Sequence, residues 1–142
     1  MAIRNGASAH WSGGLKGGAG TFSTASGVMS GVRYDFRKRF EGEAGTNPEE
    51  LLGAAHAACM AMQTAALLER AGIVPEAVDV GATVTLDFVD GAPTVTGVHL
   101  DIAIRAPGAA EGELLRIAGE AKAACLVTRL FNTDVTYTAR VV

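Results

Sequence analysis

The size and composition of the chain suit one folded domain, which we place over residues 1–142. Its 142 residues are enough to bury a hydrophobic core. Hydrophobic residues make up 49% of the chain and charged residues 19%, which excludes a disordered protein. The formal net charge is −3 and no basic run is present, so we expect no nucleic-acid partner.

The N-terminal residues lack the apolar stretch of a secretory signal peptide, since Trp11, Gly13 and Gly14 lie where it would be. Residues 51–68 carry no formal charge over 18 positions, which raises the possibility of a membrane span. This segment is rich in alanine and follows two glutamates, features that disfavour a span. We therefore expect a cytoplasmic protein with no membrane partner.

The first 45 residues are predicted to form strands joined by glycine turns, at 7–12, 21–26 and 32–40. The third segment, VRYDFRKRF, alternates between apolar and charged side chains. Its charged face would carry Arg33, Asp35, Arg37 and Arg39. This face is either solvated or delivers a cation to a site, and the spacing alone does not choose between the arginines.

A long helix from Pro48 to Ala71 is the element around which the chain is organised. Asn47 suits the N-cap, with Glu50 closing a capping box, and Gly72 suits the left-handed position after the last turn. Between its ends, His56 is the one polar side chain from Leu51 to Met62. Such an apolar helix is expected to be buried on every side.

The second half of the chain is predicted to form a hairpin, a helix and a last strand. The hairpin strands are 78–90 and 94–105, joined by the turn dipeptide Asp90-Gly91. A helix over 113–124 and a short helical segment over 125–131 precede a strand over 134–142. The pattern predicts these inward-facing residues of the second hairpin strand: Val98, Leu100, Ile102 and Ile104.

These elements predict an α+β fold. One sheet of this size covers only one face of the long helix. A partner subunit is the simplest cover for the remaining faces, so we expect an intimate homodimer with the central helices near the two-fold axis.

Cys59 lies in the middle of the long helix and, with Cys125, is either an inert core residue or half of a redox pair. Burial disfavours a thiolate, and Cys59 is about three turns from the helix N-terminus, so a functional Cys59 needs a nearby cation. His56 could pair with the thiolate, although a core histidine bonded to a backbone carbonyl is the favoured interpretation. A zinc site lacks two further ligands, and a cysteine hydrolase lacks a Cys/His/Asn set. We expect no metal or cofactor.

Three features of the sequence are distinctive: RFEGEAGTNPEELLGAAHAAC at 39–59, AHWSG at 9–13, and a second cysteine 66 residues after the first. Together they resemble the OsmC/Ohr family, and most closely its osmotically inducible protein C branch. The resemblance spans nearly the whole chain. It implies antiparallel sheets wrapped around a long buried central helix, in an intertwined homodimer with two active sites at the interface. It also implies a thiol-dependent peroxidase that acts on organic hydroperoxides and less efficiently on hydrogen peroxide.

The resemblance implies a role for four residues. Cys59, in HAAC, would be the peroxidatic cysteine and Cys125 the resolving cysteine. Arg39, in RFEG, would stabilise the thiolate, and Glu49 would orient that arginine. Glu49 precedes Cys59 by ten residues, about 15 Å along one helix, so the two cannot meet within that helix. Either the loop folds Glu49 back through Arg39, or Glu49 and Arg39 reach Cys59 from the other subunit, and we favour the second arrangement.

The sequence departs from the family at the second cysteine, where the family usually has C-P-V-S. Here the run is Cys125-Leu126-Val127-Thr128. The turn therefore lacks the rigidity of proline, which could alter how readily Cys125 reaches Cys59.

The expected cycle begins when the Cys59 thiolate attacks a peroxide and becomes a sulfenic acid. Cys125 condenses with it to a disulfide, and a dithiol reductant, which the family suggests is a dihydrolipoyl group, restores both thiols. The alternative is a redox sensor whose cysteine pair switches shape without turnover.

Overall fold

The computed structural model describes all 142 residues, which form two compact units, Met1–Pro48 and Glu49–Val142. The first unit contains strands β1 (Ala7–Ser12), β2 (Ala19–Thr24) and β3 (Val32–Asp35) and the short helix α1 (Phe36–Phe40). Helix α2 (Pro48–Arg70) begins at the boundary. The second unit continues with β4 (Ala77–Val89), β5 (Ala92–Arg105), α3 (Glu111–Ala124), a 3₁₀ turn (Thr128–Leu130) and β6 (Val135–Val141). One domain over residues 1–142 stays a prediction.

The first unit is an antiparallel sheet in the order β1-β2-β3. Gly20 of β2 lies opposite both Trp11 of β1 and Tyr34 of β3. A Cβ atom at Gly20 would come within 2.7 Å of the Tyr34 ring and 2.9 Å of the Trp11 ring. The absence of a side chain therefore lets these two rings pack across the sheet, with centroids 5.4 Å apart.

The prediction of one strand over 32–40 is wrong beyond Asp35. The Asp35 carboxylate accepts a hydrogen bond from the Lys38 backbone N–H at 3.1 Å and another from the Lys38 side chain at 2.7 Å. These contacts cap a helical turn and end the strand. Arg37 and Arg39 consequently lie on α1, so they do not share a strand face with Arg33. Strand β2 also starts two residues earlier than predicted.

The second unit begins its sheet with the predicted hairpin of β4 and β5. Val89 pairs with Ala92, which leaves Asp90 and Gly91 as a two-residue loop. Both loop residues have positive φ, 50° and 79°, as a type I′ turn requires. A bulge at Thr96 shifts the register between the two strands.

The last strand, β6, pairs with β5 in parallel, so the prediction of antiparallel sheets is wrong at this edge. Helix α3 connects the two strands and returns the chain to the end of the sheet where β5 started. Parallel strands need such a long crossover. The alternation of apolar residues in β6 predicted a strand but carries no information about its direction.

The core of the second unit lies between this sheet and helices α2 and α3. The predicted inward face of β5 is confirmed, since all four of its residues are buried. The same core receives Met60 and Leu68 from α2 and Leu114 and Ile117 from α3.

Helix α2 ends as the sequence predicts. Gly72 has φ of 77°. Its N–H bonds to the Glu69 carbonyl at 3.0 Å, and the Ile73 N–H bonds to the Leu68 carbonyl at 2.9 Å. This pair of bonds is a Schellman motif.

In the single chain, helix α2 is buried along one stripe, as the expectation that one sheet covers only one face implies. Burial of its other faces by a partner subunit stays a prediction. The stripe contains Gly53, His56, Met60, Thr64 and Leu68. Met62, on another face, is 75% exposed. By length and composition alone, with a mean hydropathy of 1.5, α2 could cross a membrane. In this structure its buried stripe serves the core of the second unit.

Candidate functional site

The two cysteines meet in the second unit. Cys59 lies in the middle of α2 and is half-buried. Cys125 is the residue directly after α3 and is fully buried. Both are free thiols, and the Cys125 thiol donates a hydrogen bond to the Cys59 sulfur over 3.4 Å. A disulfide needs about 2.05 Å between the sulfurs. A shift of about 1.4 Å would therefore join them.

Cys125 lies where the backbone leaves α3 and begins the 3₁₀ turn. Burial raises the pKa of its thiol, but hydrogen bonding with the Thr128 backbone, the Cys59 thiol, the Thr128 hydroxyl and the Val127 backbone outweighs that effect. The net pKa of Cys125 is below its ordinary value. The turn after α3 can donate in this way because its N–H groups are not used by the helix.

His56 is fully buried and lies one turn before Cys59 on α2. Its Nε2 is 2.7 Å from the Thr128 hydroxyl, and its ring stacks on Phe131 with centroids 5.3 Å apart. Its Nδ1 is buried without a hydrogen-bond partner. Burial lowers the pKa of His56, which favours the neutral form of its ring. The expected backbone-carbonyl partner is wrong, because Thr128 supplies a hydroxyl instead.

Arg39 lies on α1 in the first unit, with its guanidinium 5.1 Å from the centroid of the Phe40 ring. It lines a cavity of about 280 Å³. The other residues around this cavity are mostly aromatic or apolar: Trp11, Leu15, Tyr34, Asp35, Phe36, Phe40 and Pro48. The cavity thus combines one permanent cation with an apolar wall.

Glu49 is buried in the first turn of α2, ten residues before Cys59 on the same helix. Arg39 belongs to the first unit and Cys59 to the second. The approach of Arg39 and Glu49 to the Cys59 sulfur, from the same chain or from a partner, stays a prediction.

The contact between His56 and Thr128 was not predicted from the sequence. The two residues are 72 positions apart, and no local pattern links them. The hydroxyl of Thr128 was visible only as part of the run that follows Cys125. No group of three or more His, Cys, Asp or Glu side chains is placed to hold a metal ion.

Comparison with known proteins identifies the family. Residues 40–140 match the model of the OsmC-like proteins. The chain belongs to the OsmC-like protein family. It is 43% identical over 136 residues to peroxiredoxin OsmC of Escherichia coli (strain K12). These aligned residues cover 96% of this chain and 95% of that protein.

Solved structures share the fold of this OsmC-like protein. An OsmC-like protein of unknown function from Vibrio cholerae has a TM-score of 0.77 at 18% identity and covers 98% of this chain and 100% of its own. The organic hydroperoxide resistance protein OhrB of Bacillus subtilis has a TM-score of 0.73 at 21% identity. The match covers 95% of this chain and 98% of the OhrB chain. At these identities the two structures show the fold alone, a mixed α+β arrangement with two sheets.

Proposed function

We propose that this OsmC-like protein is a cytoplasmic cysteine peroxidase that reduces organic hydroperoxides, and hydrogen peroxide less well. The observation that carries the proposal is the pair of free thiols 3.4 Å apart, because this spacing suits a sulfenic acid that is resolved within the chain. The name of the Escherichia coli relative, peroxiredoxin OsmC, supports peroxide chemistry.

In the proposed reaction the Cys59 thiolate attacks the distal oxygen of the hydroperoxide. An S–O bond forms, the O–O bond breaks, and the alkoxide takes a proton and leaves as an alcohol. Cys125 then attacks the Cys59 sulfenic sulfur, an S–S bond forms, and the sulfenic oxygen leaves as water. A dithiol reductant, for which a lipoyl protein is our expectation, exchanges with the disulfide and restores both thiols.

Arg39 and Glu49 supply the charge in this proposal. A cysteine in mid-helix has no free backbone N–H groups near its sulfur, so its anion requires a cation from elsewhere. Arg39 is permanently charged and also stabilises the negative charge that develops on the peroxide oxygens. Glu49 orients the guanidinium. The apolar wall of the cavity that Arg39 lines suits the alkyl group of an organic hydroperoxide.

We infer that the protein functions as a homodimer, because the face of α2 that carries Met62 is apolar and exposed in one chain. A charge at the centre of an apolar interface is strongly unfavourable. Met62→Glu should therefore convert the protein to a monomer in sedimentation velocity runs. Arg70→Gln changes an exposed residue of α2 that does not line the groove beside Met62, so it is the control and should stay dimeric. A wild-type chain that sediments as a monomer would refute the inference.

Steady-state turnover of tert-butyl hydroperoxide with a dithiol tests the proposed activity. The wild-type protein should turn over many times, and Cys59→Ser should fall to the uncatalysed rate. Cys125→Ser should still consume one peroxide per chain at the wild-type rate. A single stoichiometric oxidation of the wild type, with no further turnover at any dithiol concentration, would instead support the redox sensor.

A further inference from the structure

We propose that Thr128 and His56 form a hydrogen-bond chain that activates Cys125 for its attack on the Cys59 sulfenic acid. In this proposal Thr128, at the start of the 3₁₀ turn that follows Cys125, is the catalytic donor to the reacting sulfur, and His56 is a positioning residue that acts through Thr128. This inference rests on the proposed function and names residues for its second step.

The proposed chain runs from α2 through the 3₁₀ turn to Cys125. His56 Nε2 lies 2.7 Å from Thr128 Oγ1. Thr128 begins the 3₁₀ turn three residues after Cys125, and hydrogen bonding with its backbone and hydroxyl lowers the pKa of the Cys125 thiol. The Phe131 ring stacks on the His56 imidazole and so restricts the orientation of the imidazole plane. His56 is fully buried, so water does not compete for its Nε2.

The direction of these hydrogen bonds follows from counting protons. A hydroxyl has one proton, so a Thr128 that donates to Cys125 must accept from His56, which then carries its proton on Nε2. Nδ1 is left with a bare lone pair, which agrees with its lack of a partner. The opposite tautomer would bury an N–H group with no acceptor, a rarer and costlier arrangement.

The chain acts as Cys125 gives up its proton. The Cys125 sulfur attacks the Cys59 sulfenic sulfur and its proton passes to the departing oxygen, which leaves as water. One S–S bond forms, one S–O bond breaks, Cys125 is oxidised and the Cys59 sulfur is reduced. Negative charge develops on the Cys125 sulfur during this step, and the Thr128 hydroxyl, held by His56, stabilises it.

Two substitutions at Thr128 separate chemistry from packing. Thr128→Val keeps the shape of the side chain and removes the hydroxyl, whereas Thr128→Ser keeps the hydroxyl and removes a methyl group. Rapid-quench mass spectrometry after one equivalent of tert-butyl hydroperoxide resolves the thiol, sulfenic acid and disulfide forms. We expect Thr128→Val to form the sulfenic acid at the wild-type rate and the disulfide roughly 10- to 100-fold more slowly. Thr128→Ser should form both at rates close to wild type.

The outcomes distinguish this inference from the proposed function. A wild-type chain that forms no sulfenic acid would overturn the peroxidase and this inference with it. Normal sulfenic acid formation followed by equally fast resolution in Thr128→Val would overturn the hydrogen-bond chain alone. Slow disulfide formation in Thr128→Ser would also overturn the hydrogen-bond chain. Serine keeps the hydroxyl, so a slow rate there would show that the shape of the side chain is what matters.

The histidine tautomer is an independent readout that needs no peroxide. In ¹⁵N-labelled reduced protein, with the His56 signals assigned by their loss in His56→Gln, we expect the proton on Nε2 and none on Nδ1. A proton on Nδ1 would contradict the proposed direction of donation.

Discussion

The two cysteines lie side by side in different kinds of structure. Cys59 is in the interior of α2, where backbone N–H groups are bonded within the helix, and its hydrogen bond is with Cys125. Cys125 follows the end of α3, and hydrogen bonding with the Thr128 backbone and hydroxyl and with the Val127 backbone lowers the pKa of its thiol despite burial. The unused N–H groups at the start of a helical turn thus stabilise a thiolate locally, whereas a thiolate in a helix interior depends on charge from another element.

This difference suits two steps of one reaction. In the proposed reaction, the sulfur that meets the peroxide is the half-buried Cys59, and the proposed cation, Arg39, belongs to a separate element, from which it would also bind the peroxide oxygens. The sulfur that resolves the intermediate is fully buried with its donors built in. We therefore expect substitutions of Arg39 and Glu49 to slow the first step, the formation of the sulfenic acid. Substitutions near the 3₁₀ turn should slow the second step, the formation of the disulfide.

The largest expected effect is that of Arg39→Ala on the first step. Loss of a donor to the developing oxyanion should slow sulfenic acid formation roughly 100- to 1000-fold. Arg39→Lys should not restore the rate fully, because an ammonium group lacks the planar fork of a guanidinium. The measurement is the single-turnover rate at Cys59 with tert-butyl hydroperoxide.

Arg37→Ala is the matched control, because Arg37 lies on the same short helix and is 64% exposed in a surface pair with Glu43. It should change that rate less than about threefold, since such surface pairs contribute little. Mixed dimers of Cys59→Ser and Arg39→Ala chains then decide which subunit supplies the arginine. Activity in the mixed dimers supports the partner, and inactive mixed dimers would refute action from the partner subunit.

Local signals made much of the fold predictable. Asp90-Gly91 with its alternating flanks specified the hairpin, and Pro48 and Gly72 marked the limits of α2 to within one residue. Cys59 could be recognised as a candidate site residue because it lies in the middle of an apolar helix that must be buried. These features depend on neighbours in sequence.

The remaining features depend on contacts that the sequence pattern does not encode. Asp35 bonds to Lys38 and turns the backbone into α1, which overrides the alternation of apolar residues. The direction of β6 follows from the crossover through α3. The contact between His56 and Thr128 arises only when α2 and the 3₁₀ turn pack together.

The second prediction concerns the pH dependence of stability, to which His56 contributes. Burial lowers its folded pKa below the unfolded value of 6.5, so below pH 6.5 the unfolded chain binds a proton that the folded chain does not. The free energy of unfolding should consequently fall as the pH drops from 7.5 to 5.5. The contribution is at most about 1.4 kcal/mol per pH unit, the limit for one proton. Urea unfolding of the reduced protein across this range measures it.

His56→Gln should flatten this pH dependence, because glutamine does not titrate. His10→Gln is the control, since His10 is exposed on β1 and meets water in both the folded and the unfolded chain. Cys59 and, through Thr128, Cys125 are the titratable neighbours of His56, and both thiols are present in each variant. Equal slopes in the wild type and His56→Gln would show that burial of His56 does not set the acid sensitivity.

The smallest expected effect lies in the turn after Cys125, where Leu126 replaces the proline of the family pattern. Cys125 has φ of −62° and ψ of 126°, the extended conformation that a following proline favours. Leu126 is 66% exposed, so its replacement removes little packing. Leu126→Pro should raise the free energy of unfolding by about 0.4–1 kcal/mol by restricting the unfolded chain.

Leu130→Pro is the matched control for Leu126→Pro. Leu130 is also exposed, but its N–H donates to the Val127 carbonyl at 3.0 Å, a bond that proline removes. It should lower the free energy of unfolding and slow disulfide formation, because the same 3₁₀ turn carries Thr128. If Leu126→Pro is destabilising as well, the backbone at residue 126 is incompatible with proline. The turn that places Val127 and Thr128 near Cys125 would then differ in backbone geometry from the proline-containing turn of the family pattern.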